Sequence, residues 1–262
     1  METSRTTPTR AGIEIAYRDS GESSVPGSSD VHPVPVVLVH GMGGDGGTWD
    51  RFARALVARG RRVLVLDLRG GHGRSARAGS YLFEEFGADV VEVCDNLGLT
   101  RVDLIGHSLG GHAASLAAQA SPGLVRRLVI EEAPLPLRPG DPEQVFANRL
   151  PSLPELWHAT TSLIRHPRAV FAFDRSMTGS ALEQFRRPDP LWWDRLPDIE
   201  ADTLILRGGT GGMVDPRRLE SAVAAIPNCR VVVFRSGHSI HRDRYDDFAA
   251  AVLPFLMKPE KS

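Results

Sequence analysis

Short, continuous apolar runs alternate with longer helical patterns along most of this 262-residue chain, and few architectures accommodate that alternation. Residues 36–40 (VVLVH), 63–66, 102–105, 128–130, 203–206 and 231–234 have the character of strands covered on both faces. Between them, 49–59, 84–97, 108–120, 216–225 and 245–256 carry helical spacing; in 84–97, Phe86, Val90, Val93 and Leu97 form one stripe. Residues 12–17 alternate in period two, and the Ser-, Gly- and Pro-rich stretch 21–35 reads as a loop. Strands and helices in this order predict βαβ units, hence an α/β fold with a mostly parallel central sheet and helices on both faces. A chain of this length buries roughly 70–75% of its unfolded surface and needs no metal or disulfide staple.

The alternation breaks after Glu132. Residues 133–197 contain ten of the 19 prolines and three of the four tryptophans, Trp157, Trp192 and Trp193. A disordered linker would be poor in aromatics. The stretch is therefore expected to be a helical lid, residues 133–197, inserted into a core made of 1–132 and 198–262.

Charge narrows the partners. With 31 Lys+Arg against 32 Asp+Glu the net charge is −1, whereas nucleic acid or an anionic membrane calls for a basic excess. No window approaches the roughly 20 apolar residues of a spanning helix. Residues 1–10 lack the apolar core of a secretory signal. A soluble cytoplasmic protein is expected, without nucleic-acid or membrane partners. Lys258 and Lys261 are the only lysines; the scattered arginine excess fits a GC-rich genome. Cys94 and Cys229 lie in apolar stretches and read as buried free thiols.

The strongest chemical signal is Gly106-His107-Ser108-Leu109-Gly110, followed by Gly111, directly between a predicted strand and a predicted helix. That is the setting a G-x-S-x-G nucleophile elbow requires: a sharp turn lifts the serine oxygen to a helix N-terminus, where N–H groups stabilise negative charge. Upstream, His40-Gly41-Met42-Gly43-Gly44 follows a buried strand. The N–H groups of Met42 and Leu109 are the expected oxyanion donors, and His40 and Gly41 the expected pocket wall, with Trp157, Trp192 and Trp193 as lid candidates for that wall or for the lid's own core. A serine needs a base. His238, in Ser236-Gly237-His238-Ser239-Ile240-His241 after the last strand, is preferred, with His241 as its rival.

These motifs, in this order, resemble the α/β-hydrolase superfamily over nearly the whole chain. Asp67-Leu68-Arg69-Gly70-Gly71-His72-Gly73-Arg74-Ser75 is similar to the family's D-x-R-G-x-G-x-S turn with one extra glycine. The resemblance implies Ser108 as nucleophile and His238 as base, with no cofactor or metal. It breaks at the third member of the triad. Members of the family commonly place an aspartate after strand seven in a G-x-x-D pattern, but residues 207–216 here read RGGTGGMVDP, with glycine at the acid's place. Asp215 precedes a proline and is better suited to capping the next helix. Some branches, including haloalkane dehalogenases and zearalenone-type lactone hydrolases, carry the acid at the end of strand six. Glu132 holds that place here, with Asp215 and Glu131 as alternatives.

Serine rather than aspartate in the elbow disfavours alkyl-enzyme ester chemistry and suits acyl transfer. The expectation is an ester or lactone hydrolase acting on a hydrophobic small molecule. A C–C bond hydrolase or a cyclase/lyase is the alternative within the fold; a slow or inactive ligand receptor is the alternative from another class, separated by labelling of Ser108 with a fluorophosphonate. A homodimer is compatible with the sequence.

Overall fold

The computed structural model describes residues 4–21, 34–142, 160 and 172–258. An eight-stranded sheet runs in the order β1-β2-β4-β3-β5-β6-β7-β8. Its strands are β1 (Arg5–Pro8), β2 (Glu14–Asp19), β3 (Val36–Val39), β4 (Val63–Leu66), β5 (Val102–His107), β6 (Val125–Glu131), β7 (Asp202–Arg207) and β8 (Cys229–Val233). From β4 across to β8 every pairing is parallel; β1 and β2 add an antiparallel edge. The helices are α1 (Asp50–Val57), α2 (Phe83–Asn96), α3 (Leu109–Ala120), α4 (Ser176–Arg186), α5 (Pro190–Asp194), α6 (Pro216–Ala225), α7 (Ile240–Asp243) and α8 (Tyr245–Met257).

The apolar runs divide by residue parity, because successive strand side chains point to opposite faces. Val37, Val39, Leu64, Leu66, Leu128 and Ile130 pack with α2 and α3 in one core. Val36, Leu38, Val63, Val65 and Val129 pack with α1 and α8 in the other. Both faces are dry, so the strands read as unbroken apolar runs.

At the amino end of the parallel strands, some of the arginines have structural roles. Asp103, fully buried, accepts from Arg61 Nη2 at 2.6 Å and Arg126 Nε at 2.7 Å. Arg61 also donates to Val34 O, and Arg127 to Leu256 O. A buried carboxylate with this many donors is compensated rather than stranded. The network ties β4, β5 and β6 to the end of α8, leaving the opposite, carboxyl edge free for loops.

Three details differ from the sequence reading. Strand β1 lies in the polar start of the chain, where only Thr7 of its four residues is buried. Cys229 is half-buried rather than fully buried, while Cys94 is buried as expected. The strand before the elbow also extends further, with β5 continuing through His107, and α3 starts at Leu109.

The described part of the segment between β6 and β7 clasps α2 and α3 through polar contacts as well as apolar ones. Gln184 Nε2 donates to Tyr81 O at 2.8 Å, and Gln184 Oε1 accepts from Phe83 N at 2.8 Å. Trp192 Nε1 donates to Ser115 Oγ at 3.0 Å. Among the described residues, no helix is long and apolar enough to cross a membrane.

Candidate active site

β5 ends at His107, and Ser108 turns the chain into α3 with φ 52° and ψ −120°. Ser108 and Glu132 (φ 48°) are the non-glycine residues with positive φ among the described residues. Such backbone costs about 1–3 kcal/mol per residue and persists where its surroundings over-determine it. Here they do so through packing: a Cβ at Gly106 would lie 2.1 Å from Gly110 O, and one at Gly110 would lie 2.3 Å from His40 O. Only glycine permits that approach of β5, α3 and the loop after β3, which is the physical content of the elbow motif.

Ser108 Oγ is 2.9 Å from His238 Nε2. Behind it, His238 Nδ1 lies 3.6 Å from Glu132 Oε2, within ion-pair range but longer than a hydrogen bond. The fully buried Glu132 carboxylate is fixed by two backbone donors, Gly208 N–H to Oε1 at 2.5 Å and Met213 N–H to Oε2 at 2.6 Å. The structure thus brings Ser108, His238 and Glu132 together. Asp215 lies elsewhere: its Oδ1 accepts from Arg218 N at 2.9 Å and caps α6.

The glycines of residues 207–213 have a function that the sequence pattern hides. A Cβ at Gly212 would sit 2.3 and 2.5 Å from the two Glu132 oxygens, and one at Gly208 would sit 2.0 Å from Gly237 O. Residues 208–214 of the loop after β7 carry no acid but make room for one arriving from β6. Gly212→Ala is therefore expected to displace a carboxylate already pinned on both oxygens. A misplacement of this kind costs on the order of 10–100-fold in turnover with little change in substrate binding, to be read as a fall in kcat at near-constant KM.

The loop carrying Gly41 and Met42 passes over the elbow: a Cβ at Gly41 would come within 3.0 Å of the Ser108 Cβ. The Leu109 N–H belongs to the first turn of α3, where helix N–H groups lack intrahelical acceptors. Met42, the next residue along that loop, is 37% exposed. His40 takes a different part from the pocket wall expected of it. It is fully buried; Nδ1–H donates to Gly41 O at 2.7 Å, and Nε2 accepts from Leu68 N at 3.1 Å. His72, from the D-x-R-G-G-H turn, supports the same loop: its Nε2 accepts from Gly43 N at 3.0 Å while Nδ1–H donates to Arg69 O at 2.8 Å. Burial pushes His72 down to about 3, which keeps it neutral and able to accept.

Trp192 and Trp193 are buried and serve the packing between the inserted segment and the core. Trp193 Nε1 donates to Pro136 O at 3.1 Å, and Trp192 borders a small apolar cavity with Gly111, His112, Ile130, Ala133 and Ile205. That lining includes none of Ser108, His238 and Glu132. Trp157 lies outside the described residues.

Among the described residues, one group of side chains has metal-like spacing: His107, Glu131 and His241 each bring a ligand atom within 4.8 Å of the others. Two of the nitrogens are committed as donors, His241 Nδ1–H to Glu131 and His107 Nε2–H to the carbonyl of His238. The cluster reads as a hydrogen-bonded assembly rather than a cation site.

A parallel sheet with a strained serine between β5 and α3, a histidine after β8 and a carboxylate after β6 defines an α/β-hydrolase arrangement. Comparison with known proteins agrees. The alpha/beta hydrolase family model matches residues 36–251, and the chain belongs to that family of enzymes. The sn-1-specific diacylglycerol lipase ABHD11 of Xenopus laevis is 36% identical over 251 residues, covering 85% of this chain and 79% of the relative. A 2-hydroxy-6-oxononadienedioate/2-hydroxy-6-oxononatrienedioate hydrolase of Dechloromonas aromatica is 28% identical, covering 93% of this chain and 91% of its own. Among solved structures, the enol-lactonase of Burkholderia xenovorans superposes with a TM-score of 0.72 at 24% identity, covering 97% of this chain and all of that one; at that identity it speaks for the fold alone.

Proposed function

We propose that the protein is a serine hydrolase that cleaves an ester or lactone bond of a hydrophobic small molecule through an acyl-enzyme, with chemistry that needs no cofactor. The observation that carries the reading is the 2.9 Å contact between Ser108 Oγ and His238 Nε2, backed by the buried Glu132 carboxylate. Ser108 Oγ attacks the carbonyl carbon as His238 Nε2 takes its proton. The tetrahedral oxyanion forms beside the Met42 and Leu109 N–H groups, donors that need no reorganisation as charge develops. His238 then protonates the leaving alkoxide; in a lactone this oxygen stays tethered to the acyl group. Water, deprotonated by the same nitrogen, attacks the acyl-enzyme and releases the acid. Glu132 holds Nδ1–H inward and stabilises the imidazolium, and the 3.6 Å separation shortens as that charge appears.

The lid assigned to 133–197 and the exposed Met42 side chain favour an apolar substrate. Each methylene buried contributes about 0.8 kcal/mol, so p-nitrophenyl hexanoate, longer by four methylenes, is expected to exceed the acetate in kcat/KM by up to roughly 200-fold. Steady-state rates across a p-nitrophenyl ester and lactone panel check this. The relative from Dechloromonas aromatica favours C–C hydrolysis as a second reading. A vinylogous 1,5-diketone turned over faster than every ester and lactone in the panel would establish that reading instead.

A further inference from the structure

Two consecutive glutamates end at the carboxyl edge of β6, two histidines stand three residues apart after β8, and the structure pairs them in parallel. Glu132 faces His238, and Glu131 faces His241. In the second pair His241 gives Glu131 both its backbone N–H, at 2.9 Å to Oε1, and its Nδ1–H, at 2.9 and 2.8 Å to the two oxygens. Both residues are buried. Trp49 stacks on the His241 ring at 4.0 Å. His107, the residue before Ser108, donates Nε2–H to the carbonyl of His238 at 2.7 Å. The segment 238–241 is thus held at both ends by the strand tips that also carry Ser108 and Glu132.

We propose that Glu131 is a positioning residue for the base: by clamping His241 while His107 holds the His238 carbonyl, it fixes where His238 Nε2 meets Ser108. The inference rests on the reading of His238 as the base. Apolar packing alone would let the segment slide, whereas two donors from one residue on one carboxyl group set both its position and its rotation. A buried carboxyl is costly in such a place. Burial pushes Glu131 up to about 7, against His107, the His241 N–H and His238, which draw it down, while Glu132 pushes it further up. Its raised value means a stabilising contribution that is full below about 4.5 and is lost as pH rises through about 7. Glu131→Gln should remove that part of the pH dependence of Tm.

The test compares removing the clamp with preserving it, using p-nitrophenyl butyrate and a fluorophosphonate probe. Glu131→Leu and His241→Leu are expected to lower kcat on the order of 30-fold with KM within about twofold, since the serine and the pocket are untouched. His241→Asn keeps a donor near the Nδ1 position, and should stay within about fivefold of wild type. Amide hydrogen exchange across 238–243 should quicken in both leucine variants and not in His241→Asn. That readout tests the clamp whatever bond is cleaved. Unchanged exchange and kcat in the leucine variants would overturn the proposal, as would a Glu131→Gln loss as deep as that of Glu132→Gln, which would make Glu131 the acid itself. If the leucine variants do not fold, His241→Asn and Glu131→Gln still decide. Quickened exchange across 238–243 with a modest fall in kcat in Glu131→Gln, but not in His241→Asn, supports the clamp; exchange and kcat unchanged in Glu131→Gln, or a deep loss in both variants, overturns it. Failure of the serine-hydrolase reading has a separate signature, wild-type protein that neither labels with the probe nor loses turnover on Ser108→Ala.

Discussion

Ser108→Ala is expected to lower kcat roughly 10⁵–10⁶-fold, the scale on which removal of a serine nucleophile stops acyl transfer. What remains is catalysis by the N–H donors and by binding. KM should change little, because the lost oxygen is not a binding group. Stability should also change little: alanine inherits the strained backbone at φ 52° without relieving it. Glycine at the same position has no Cβ to strain, so Ser108→Gly is expected to be equally inactive yet more stable than wild type by about 1 kcal/mol. Kinetics with a p-nitrophenyl ester and thermal melts of the two variants check both halves. Turnover within tenfold of wild type in either would remove Ser108 from the reaction.

Glu132→Gln should follow in severity, with kcat reduced by roughly 10³–10⁴-fold, the effect of leaving a catalytic histidine without its carboxylate. The amide also fits the cradle poorly. Its NH₂ end must face either Gly208 N–H or Met213 N–H, each of which now donates to a carboxylate oxygen. Asp215→Ala supplies the contrast. Losing the cap of α6 costs about 1 kcal/mol of stability and should leave kcat unchanged, since Asp215 is engaged with Arg218. The reverse result, deep loss at 215 and little at 132, would place the acid after β7.

The fold was legible because its signals are local. Both-face burial writes strands as unbroken apolar runs, and residues 36–39 and 63–66 are buried at every position. The β1 strand escaped because it sits at an edge, is mostly exposed and ends at a proline. The elbow was legible for a similar reason: Gly106 and Gly110 are required by contacts within a few residues or with the adjoining strand. The setting of the acid was not. Glycine at 208 and 212 looks like a missing carboxylate until the sheet brings Glu132 across, and the pairing of Glu131 with His241 spans 110 residues. No spacing rule foretells which of two glutamates meets which of two histidines. That depends on the register of β5, β6 and β7, where His107 pairs with Glu131 and Glu131 with Leu206. A histidine beside a glycine-rich loop looks like a pocket wall in sequence, whereas burial makes His40 a tie between loops.

The two positive-φ residues carry a lesson for anyone improving the protein. Ser108 and Glu132 stand at the tips of neighbouring strands, and each holds a backbone shape that glycine would adopt freely. A library sorted for heat resistance alone would enrich glycine at both, since relief of strain is among the easiest gains in robustness. Its hardiest survivors would have surrendered the two side chains that the reaction can least spare. Selection for durability in this scaffold therefore has to be run with turnover as a second gate, or with positions 108 and 132 held fixed.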